Sequence, residues 1–236
     1  MGSRSLTPLL AALLLAAPLA GAEPGSVQGE VQMSVVGSDG KAQPVADRSG
    51  VVVYLTGYTD PPPAEVAHMS QRDKSFVPAV LPIVAGQKVE FDNQDVVLHN
   101  VFSRSVAHKF DAGKNRPGEK YVETFSKTGI IDVYCDIHEE MEATLVVVPN
   151  RAFAVTDKNG RFLLKGVPPG KYPLFAVHRR DEKSDISRVE VSVEEGRTSN
   201  VTLQLVETRD ADTHLDKHGK PYGPRPEYPG PGSKGK

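Results

Sequence analysis

The sequence predicts an all-β protein built from two β-sandwiches, and three observations support this fold class. The chain of 236 residues contains 21 glycines, 19 prolines and no tryptophan, a composition typical of loop-rich β folds. Apolar and polar residues alternate over short stretches, as they do in half-buried strands. Glycine, proline, asparagine or aspartate bounds most of these stretches, which favours strands joined by turns.

The first sandwich is predicted over residues 26–148. Residues 27–37 alternate in polarity, and residues 51–55 form a continuous β-branched and aromatic run. Further short strands are predicted at residues 80–84, 88–91, 98–102, 121–125, 130–135 and 144–148. We expect a helical turn around residues 64–74 and a loop over residues 111–120. This series of closely spaced strands is typical of a β-sandwich.

A second, smaller sandwich is predicted over residues 151–207. Asn159-Gly160 separates two apolar stretches, and Asn-Gly is a strong signal for a hairpin turn. Valines and leucines then alternate at residues 189–193 and 201–205. A unit of this size buries little core of its own, so we expect it to pack on the first sandwich. Residues 208–236 are rich in proline, glycine and charge, and they are expected to form a disordered tail.

Residues 1–22 are typical of a secretion signal. Arg4 supplies a positive charge, residues 8–20 form a short apolar run, and Ala20-Gly21-Ala22 resembles a signal-peptidase cleavage site. The apolar run is too short to span a membrane comfortably. We therefore expect an exported mature protein, periplasmic or secreted, without a membrane span.

The charge balance and the cysteine content restrict the classes of function that are possible. The 28 lysines and arginines against 30 aspartates and glutamates leave no basic excess, which argues against a nucleic-acid partner. Exported proteins usually hold their cysteines in disulfide pairs, yet this chain has one cysteine, Cys135. A lone cysteine of this kind is a free thiol, an intermolecular disulfide partner or a metal ligand.

The residues around Cys135 favour the metal ligand. His138 follows three residues later, Met141 follows three residues after that, and His99 lies upstream at the start of another predicted strand. One thiolate, two imidazoles and a thioether are the donor set of a blue-copper electron-transfer site. The sequence therefore predicts one type 1 copper per chain as the cofactor, bound by these four residues.

Two features of the neighbouring strands support this site. Ile131, Val133 and Cys135 alternate, so the thiol is expected to point into the core with the two apolar side chains. Asn100 directly follows His99, and we expect its side chain to hydrogen-bond across to the loop after Cys135 and hold it closed.

These motifs resemble the cupredoxin family, especially its amicyanin and plastocyanin members. The Cys-x-x-His-x-x-Met spacing resembles the short ligand loop of amicyanin, and His99-Asn100 resembles the family's His-Asn strand. The resemblance covers about residues 75–148. It implies a Greek-key β-sandwich in which His99, Cys135 and His138 are equatorial copper ligands and Met141 is the axial one. The arrangement is also similar to that of cupredoxin-domain methylamine utilisation proteins.

The second predicted sandwich carries a resemblance of its own. Residues 153–177 resemble the carboxypeptidase regulatory-like, or transthyretin-like, sandwich through the segments 156–162 and 167–172. This resemblance implies a role in packing or partner contact, without catalysis.

The sequence thus predicts an electron carrier that passes single electrons between redox partner proteins and is not an enzyme. Glu139 and Glu140 follow His138, where amicyanin and plastocyanin have a proline beside the histidine. Their negative charge favours a partner with a basic docking surface. Two alternatives stay open: a copper-binding or delivery protein without a redox role, and an interaction module that has lost its copper.

Overall fold

The computed structural model describes residues 22–37, 40–178, 187–207 and 215–222. Seventeen β-strands make up the regular structure of these ranges, and none of the described segments forms an apolar helix of membrane-spanning length. The predicted all-β class is therefore confirmed. The predicted signal segment lies outside the described residues, except for Ala22. The strands are, in chain order, β1 (Gly25–Val36), β2 (Ala42–Pro44), β3 (Val52–Leu55), β4 (Ala67–Arg72), β5 (Ser75–Val77), β6 (Val80–Val84), β7 (Gln87–Asn93), β8 (His99–Ser103), β9 (Phe110–Asn115), β10 (Lys120–Phe125), β11 (Gly129–Tyr134), β12 (Glu142–Val148), β13 (Phe153–Val155), β14 (Arg161–Val167), β15 (Gly170–Val177), β16 (Arg188–Val193) and β17 (Thr198–Glu207).

Strands β4–β12 form one sandwich, called sandwich 1 below. Its two sheets have the strand orders β10-β7-β4-β5 and β6-β12-β11-β8-β9. Both sheets contribute to one buried core, Phe91 and Phe125 from the first and Ile131 and Leu145 from the second. The rings of Phe91 and Phe125 meet edge to face, with their centroids 6.5 Å apart. This apolar core fixes the positions of the strand ends that surround it.

Strands β1–β3 and β13–β17 form sandwich 2. Its sheets are β14-β1-β17, with β2 paired to β1, and β13-β3-β15-β16. Alternate residues of β1 point inward, and Val27 and Val31 are fully buried with Leu174 and Leu203. Sandwich 2 therefore draws its core from both ends of the chain.

This pairing corrects the predicted domain boundaries. Residues 26–55 were expected in the first sandwich, but β1 runs parallel to β17 and antiparallel to β14, and β3 pairs with β13 and β15. Alternating polarity predicts a strand and its buried face, but it does not specify which strand will be its neighbour. Sandwich 1 accordingly begins near β4, and sandwich 2 consists of more than residues 151–207.

The strand β12 joins the two sandwiches. Its residues are apolar without interruption from Leu145 to Val148, a pattern typical of a strand that is buried on both faces. Leu145 and Val147 point into the core of sandwich 1, whereas Val146 and Val148 pack against Val52 of β3. Sandwich 2 thus packs on sandwich 1, as its small predicted size suggested.

The two chain connections between the sandwiches run next to each other. The Asp60 N–H donates to the Pro149 carbonyl over 3.0 Å. One carboxylate oxygen of Asp60 accepts the Arg151 N–H over 2.8 Å. The chain therefore enters and leaves sandwich 1 at one place.

Two local predictions are wrong, and the predicted disorder of the tail does not hold for its described segment. Residues 64–74 form no helical turn, because β4 and β5 make a hairpin here. The inward face of β4 includes the buried polar Gln71, so apolar and polar residues do not alternate along this strand as they do in other half-buried strands. The predicted loop at residues 111–120 includes most of β9, a polar strand at the edge of its sheet. The predicted disordered tail contains the described segment 215–222, which hydrogen-bonds to the loop after Cys135. The pairings of β4 with β5 and of β8 with β9 are local, whereas the contacts of segment 215–222 come from a distant part of the chain.

Candidate metal centre

Cys135 lies at the end of a core strand, as predicted. Ile131, Val133 and Cys135 point the same way from β11 and its end, and all three are fully buried in the core of sandwich 1. The backbone N–H of Asn100, on the neighbouring strand β8, donates to the Cys135 Sγ over 3.4 Å. Packing and this hydrogen bond together fix the position of the sulfur.

The segment from Cys135 to Met141, called the ligand loop below, is closed by two backbone hydrogen bonds. The Met141 N–H donates to the His138 carbonyl over 3.1 Å, which defines a tight turn through Glu139 and Glu140. The Cys135 N–H donates to the Met141 carbonyl over 3.3 Å. The turn brings Met141 back beneath the loop, where its side chain is fully buried in the core of sandwich 1.

The structure brings three of the predicted ligands together. His99 Nδ1 and His138 Nδ1 are 3.1 Å apart, and the Cys135 Sγ lies 3.9 Å from the former and 3.8 Å from the latter. A point equidistant from the three atoms lies about 2.1 Å from each, in the range of metal–nitrogen and metal–thiolate bonds. Among the described residues, this is the one group of three or more His, Cys, Asp or Glu side chains with metal-binding spacing. The spacing and the soft thiolate with two imidazoles both fit copper.

The site is closed to solvent except at one ligand. His99, Cys135 and Met141 are fully buried, whereas His138 is partly exposed. The two imidazole rings meet at 62° with their centroids 4.8 Å apart, so their Nδ1 atoms converge while the rings diverge. The His138 ring is therefore the part of this group that reaches the surface.

Asn100 connects three parts of the chain around the site. Its side-chain amide nitrogen donates to Asp111 Oδ1 over 2.8 Å and to the Gly113 carbonyl over 2.7 Å. Its side-chain oxygen accepts the N–H of Asp136, in the ligand loop, over 3.3 Å. This is the cross-link to the ligand loop that the sequence predicted for Asn100.

Burial and hydrogen bonding act in opposite directions on the Cys135 thiol. Desolvation is the larger effect and raises the thiol pKa overall, although the backbone N–H groups of Asn100, Ile137 and His138 lower it. Those same N–H groups stabilise negative charge on the sulfur, and a thiolate is the form that binds metal. The chain therefore surrounds a buried sulfur with the donors that a metal-bound thiolate requires.

Asp95 is part of the site, although the sequence assigned it no role. Its Oδ2 lies 2.7 Å from His99 Nε2, and its carboxylate also accepts the N–H groups of Asp73 and Lys74. Burial raises the Asp95 pKa, but the hydrogen bonds from Lys74, His99 and Asp73 outweigh it, and the pKa is lowered. The ionised carboxylate accepts a hydrogen bond from the His99 Nε2–H. The lone pair of His99 Nδ1 is then directed at the site formed with Cys135 Sγ and His138 Nδ1.

We expect Asp95→Asn to weaken Cu(II) binding about tenfold and to raise the reduction potential, because the imidazole loses the carboxylate that increases its basicity. Competition titration with a chelator and voltammetry measure the two effects. Asp92→Asn is the matched control, since Asp92 bonds to Ser70 and Gln94 in the same region without touching a predicted ligand. Equal responses in the two variants would contradict a specific role for Asp95.

Comparison with known proteins agrees with the fold and the donor set. Residues 64–148, which contain all of sandwich 1, match the family of copper binding proteins described as plastocyanin/azurin. A plastocyanin of Rumex obtusifolius is 33% identical over 76 residues, which cover 28% of this chain and 77% of that plastocyanin. Fold and site thus define a copper-binding β-sandwich. The chain belongs to the plastocyanin/azurin family, the cupredoxins, and its cofactor is copper.

Two solved structures with partial similarity complete the comparison. The amicyanin of Paracoccus versutus is 22% identical, with a TM-score of 0.34, and the match covers 41% of this chain and 97% of amicyanin. The Cu-containing nitrite reductase of Thermus scotoductus SA-01 is 30% identical, with a TM-score of 0.34 over 36% of this chain. The chain spans 22% of the length of that reductase.

Proposed function

We propose that the chain is an exported type 1 copper protein that carries single electrons between redox partners. The observation that carries this proposal is the buried convergence of His99 Nδ1, Cys135 Sγ and His138 Nδ1, with the third of these ligands partly exposed. Buried ligands hold one geometry in both oxidation states, and an exposed ligand edge gives a partner access to the site.

Each of the four predicted ligands has a separate task in this proposal. Copper, when bound, supplies one-electron exchange between Cu(I) and Cu(II). Cys135 would supply the thiolate that binds copper strongly, His99 and His138 would supply imidazole nitrogens, and Met141 would supply a weak thioether. Core packing around Cys135 and Met141 excludes water and restrains the ligand loop, so little rearrangement accompanies a change of charge.

Under the same proposal the protein is an electron carrier and not an enzyme. If His99, Cys135, His138 and Met141 all bound the copper, they would leave no open coordination position at which a substrate could be activated. Among the described residues, no second metal-binding group accompanies this one.

The redox partner is proposed to have a basic docking surface. Glu139 and Glu140 follow His138 directly and are both exposed. Their charge lies beside the partly exposed ligand, where it steers a positively charged partner and speeds association at low salt. Stopped-flow electron transfer to a basic c-type cytochrome is expected to slow as salt concentration rises, and a rate independent of salt would contradict this part of the proposal.

The proposal also covers the cellular location of the protein and the role of sandwich 2. The leader-like residues 1–22 and the single cysteine favour export to a periplasm or to the medium. The segment 153–177 favours a carboxypeptidase regulatory-like character for sandwich 2, with a role in packing or partner contact. N-terminal sequencing of the secreted fraction from an expressing bacterium tests the export. Cleavage near Ala22 is the expected result.

The test of the proposed function is a Cu(II) titration of residues 23–236 followed by absorption and EPR spectroscopy. An intense thiolate-to-copper band in the visible, a narrow copper hyperfine splitting and one copper per chain are expected. Colourless binding with a wide splitting would indicate a copper-delivery protein instead. If no Cu(II) binds, the remaining alternative is an interaction module that has lost its copper.

We expect Met141→Leu to retain copper and its colour while raising the reduction potential. The thioether donates weakly to the metal, and its loss removes a contact that favours the oxidised state. Leucine conserves the volume of this buried side chain, so the unfolding free energy should change by less than about 1.5 kcal/mol. Voltammetry and chemical denaturation measure the two quantities. An unchanged potential would mean that Met141 is a core residue only.

A further inference from the structure

The segment 215–222, called the clamp segment below, folds against the ligand loop. The Asp216 N–H donates to the Lys220 carbonyl, and the Asp216 carboxylate accepts the N–H groups of His218 and Lys220 over 2.9 and 2.7 Å. These bonds make a compact turn from a sequence that contains no apolar core of its own. The turn presents the side chains of Lys217 and Tyr222 to sandwich 1.

Tyr222 bonds to the backbone of the predicted thiolate ligand. Its hydroxyl donates to the Cys135 carbonyl over 2.7 Å, and the residue is partly buried. Cys135 is therefore held from two sides, at its sulfur by the Asn100 N–H and at its carbonyl by Tyr222.

Lys217 closes a ring of hydrogen bonds around the ligand loop. Its N–H donates to Asp136 Oδ1 over 3.2 Å, and its Nζ donates to Asp111 Oδ2 over 3.0 Å. Asp111 and Asp136 are in turn both bonded to Asn100. The ring thus runs from Asn100 through Asp111, Lys217 and Asp136 back to Asn100, and the lysine places one positive charge between two carboxylates.

Gly219 allows this fit. Its backbone φ is +79°, in the left-handed region that residues with a side chain rarely adopt. A Cβ at this position would lie 2.6 Å from a guanidinium nitrogen of Arg104, at the end of β8. The Arg104 side chain could move away from a Cβ, so the left-handed backbone is the reason that glycine is favoured here.

We propose that the clamp segment is a positioning element of the metal centre, in which Tyr222 and Lys217 hold the ligand loop closed and raise the reduction potential. The part that concerns the potential rests on the proposed copper function. Tyr222 withdraws electron density from the Cys135 peptide, and Lys217 offsets the charge of Asp111 and Asp136. Both effects disfavour the additional positive charge of Cu(II) relative to Cu(I).

The first experiment uses the metal-free protein. In Tyr222→Phe combined with Lys217→Gln, amide hydrogen exchange at Asp136 and Ile137 should accelerate at least about threefold, since local opening becomes easier. The matched control combines Tyr54→Phe in β3 with Lys220→Gln, whose side chain is exposed. Faster exchange in the test variant alone supports the proposal, and equal exchange in all three proteins overturns it.

The second experiment measures the potential of the copper-loaded proteins. The test variant should favour Cu(II) by a further factor of about three to ten, a fall of about 30–60 mV at 59 mV per decade for one electron. An unchanged potential overturns the tuning role, even if exchange accelerates. A wild-type protein without the type 1 spectrum would refute the proposed function instead, and the exchange experiment would still decide whether the segment holds the loop.

Discussion

Cys135→Ser is expected to abolish the intense visible band and the narrow copper hyperfine splitting of the loaded protein. Both signals require a thiolate bonded to copper, and a serine hydroxyl neither ionises at neutral pH nor offers a soft donor. The fold should persist, because serine matches cysteine in shape and the Asn100 N–H can still donate to the new oxygen. Burying a hydroxyl should reduce the unfolding free energy by about 1–3 kcal/mol.

Absorption, EPR and thermal unfolding of the variant measure these effects. His68→Gln is the control, since His68 is 60% exposed and pairs with Glu90 away from the predicted ligands. That variant should keep the full spectrum. A Cys135→Ser protein with an unchanged spectrum would remove the thiol from the site.

Gly29→Val is expected to destabilise sandwich 2 while leaving the copper spectrum intact. Gly29 lies in the middle of β1, and a Cβ there would meet the Val201 carbonyl oxygen at 1.9 Å and the Phe162 ring at 2.9 Å. Separating β1 from β17 or β14 is the only relief, so we expect a cost of about 3 kcal/mol. For a unit of this size, such a loss lowers the unfolding midpoint by about 10–20 °C.

Calorimetry of the copper-loaded protein, followed in parallel at the visible band, separates the two sandwiches. Gln32→Val places the same side chain at an exposed position of the same strand and should change neither transition. Loss of the visible band together with sandwich 2 would contradict the assignment of β1 away from the metal-site unit.

The candidate site was largely predictable because its signals are local. Three of the four predicted ligands lie within seven residues, and the alternation of Ile131, Val133 and Cys135 directs the sulfur inward. His99 needed one further inference, that its strand lies beside β11. The pairing of Phe102 with Tyr134 places the two strands side by side.

The parts that sequence reasoning missed depend on contacts between distant residues. The parallel pairing of β1 with β17 joins strands from opposite ends of the chain. The apolar and polar pattern of each strand would be the same if it paired in another sheet. Lys217 and Tyr222 lie in a stretch whose composition alone indicates disorder, yet they bond to Asp136 and Cys135. Two missed features have a short sequence separation, namely the contact of Asp95 with His99 and the hairpin of β4 with β5.

The adjacent connections at Asp60, Pro149 and Arg151 make sandwich 1 an inserted domain, placed within a host fold whose two halves flank it in the sequence. Both ends of the insert meet at one hydrogen-bonded point, and insertions are tolerated where the termini of the insert lie close together. The host also shares a buried contact with the insert, since Val52 of β3 packs against Val146 and Val148 of β12. Removing the insert would therefore leave the main core of the host in place and expose one apolar face of β3.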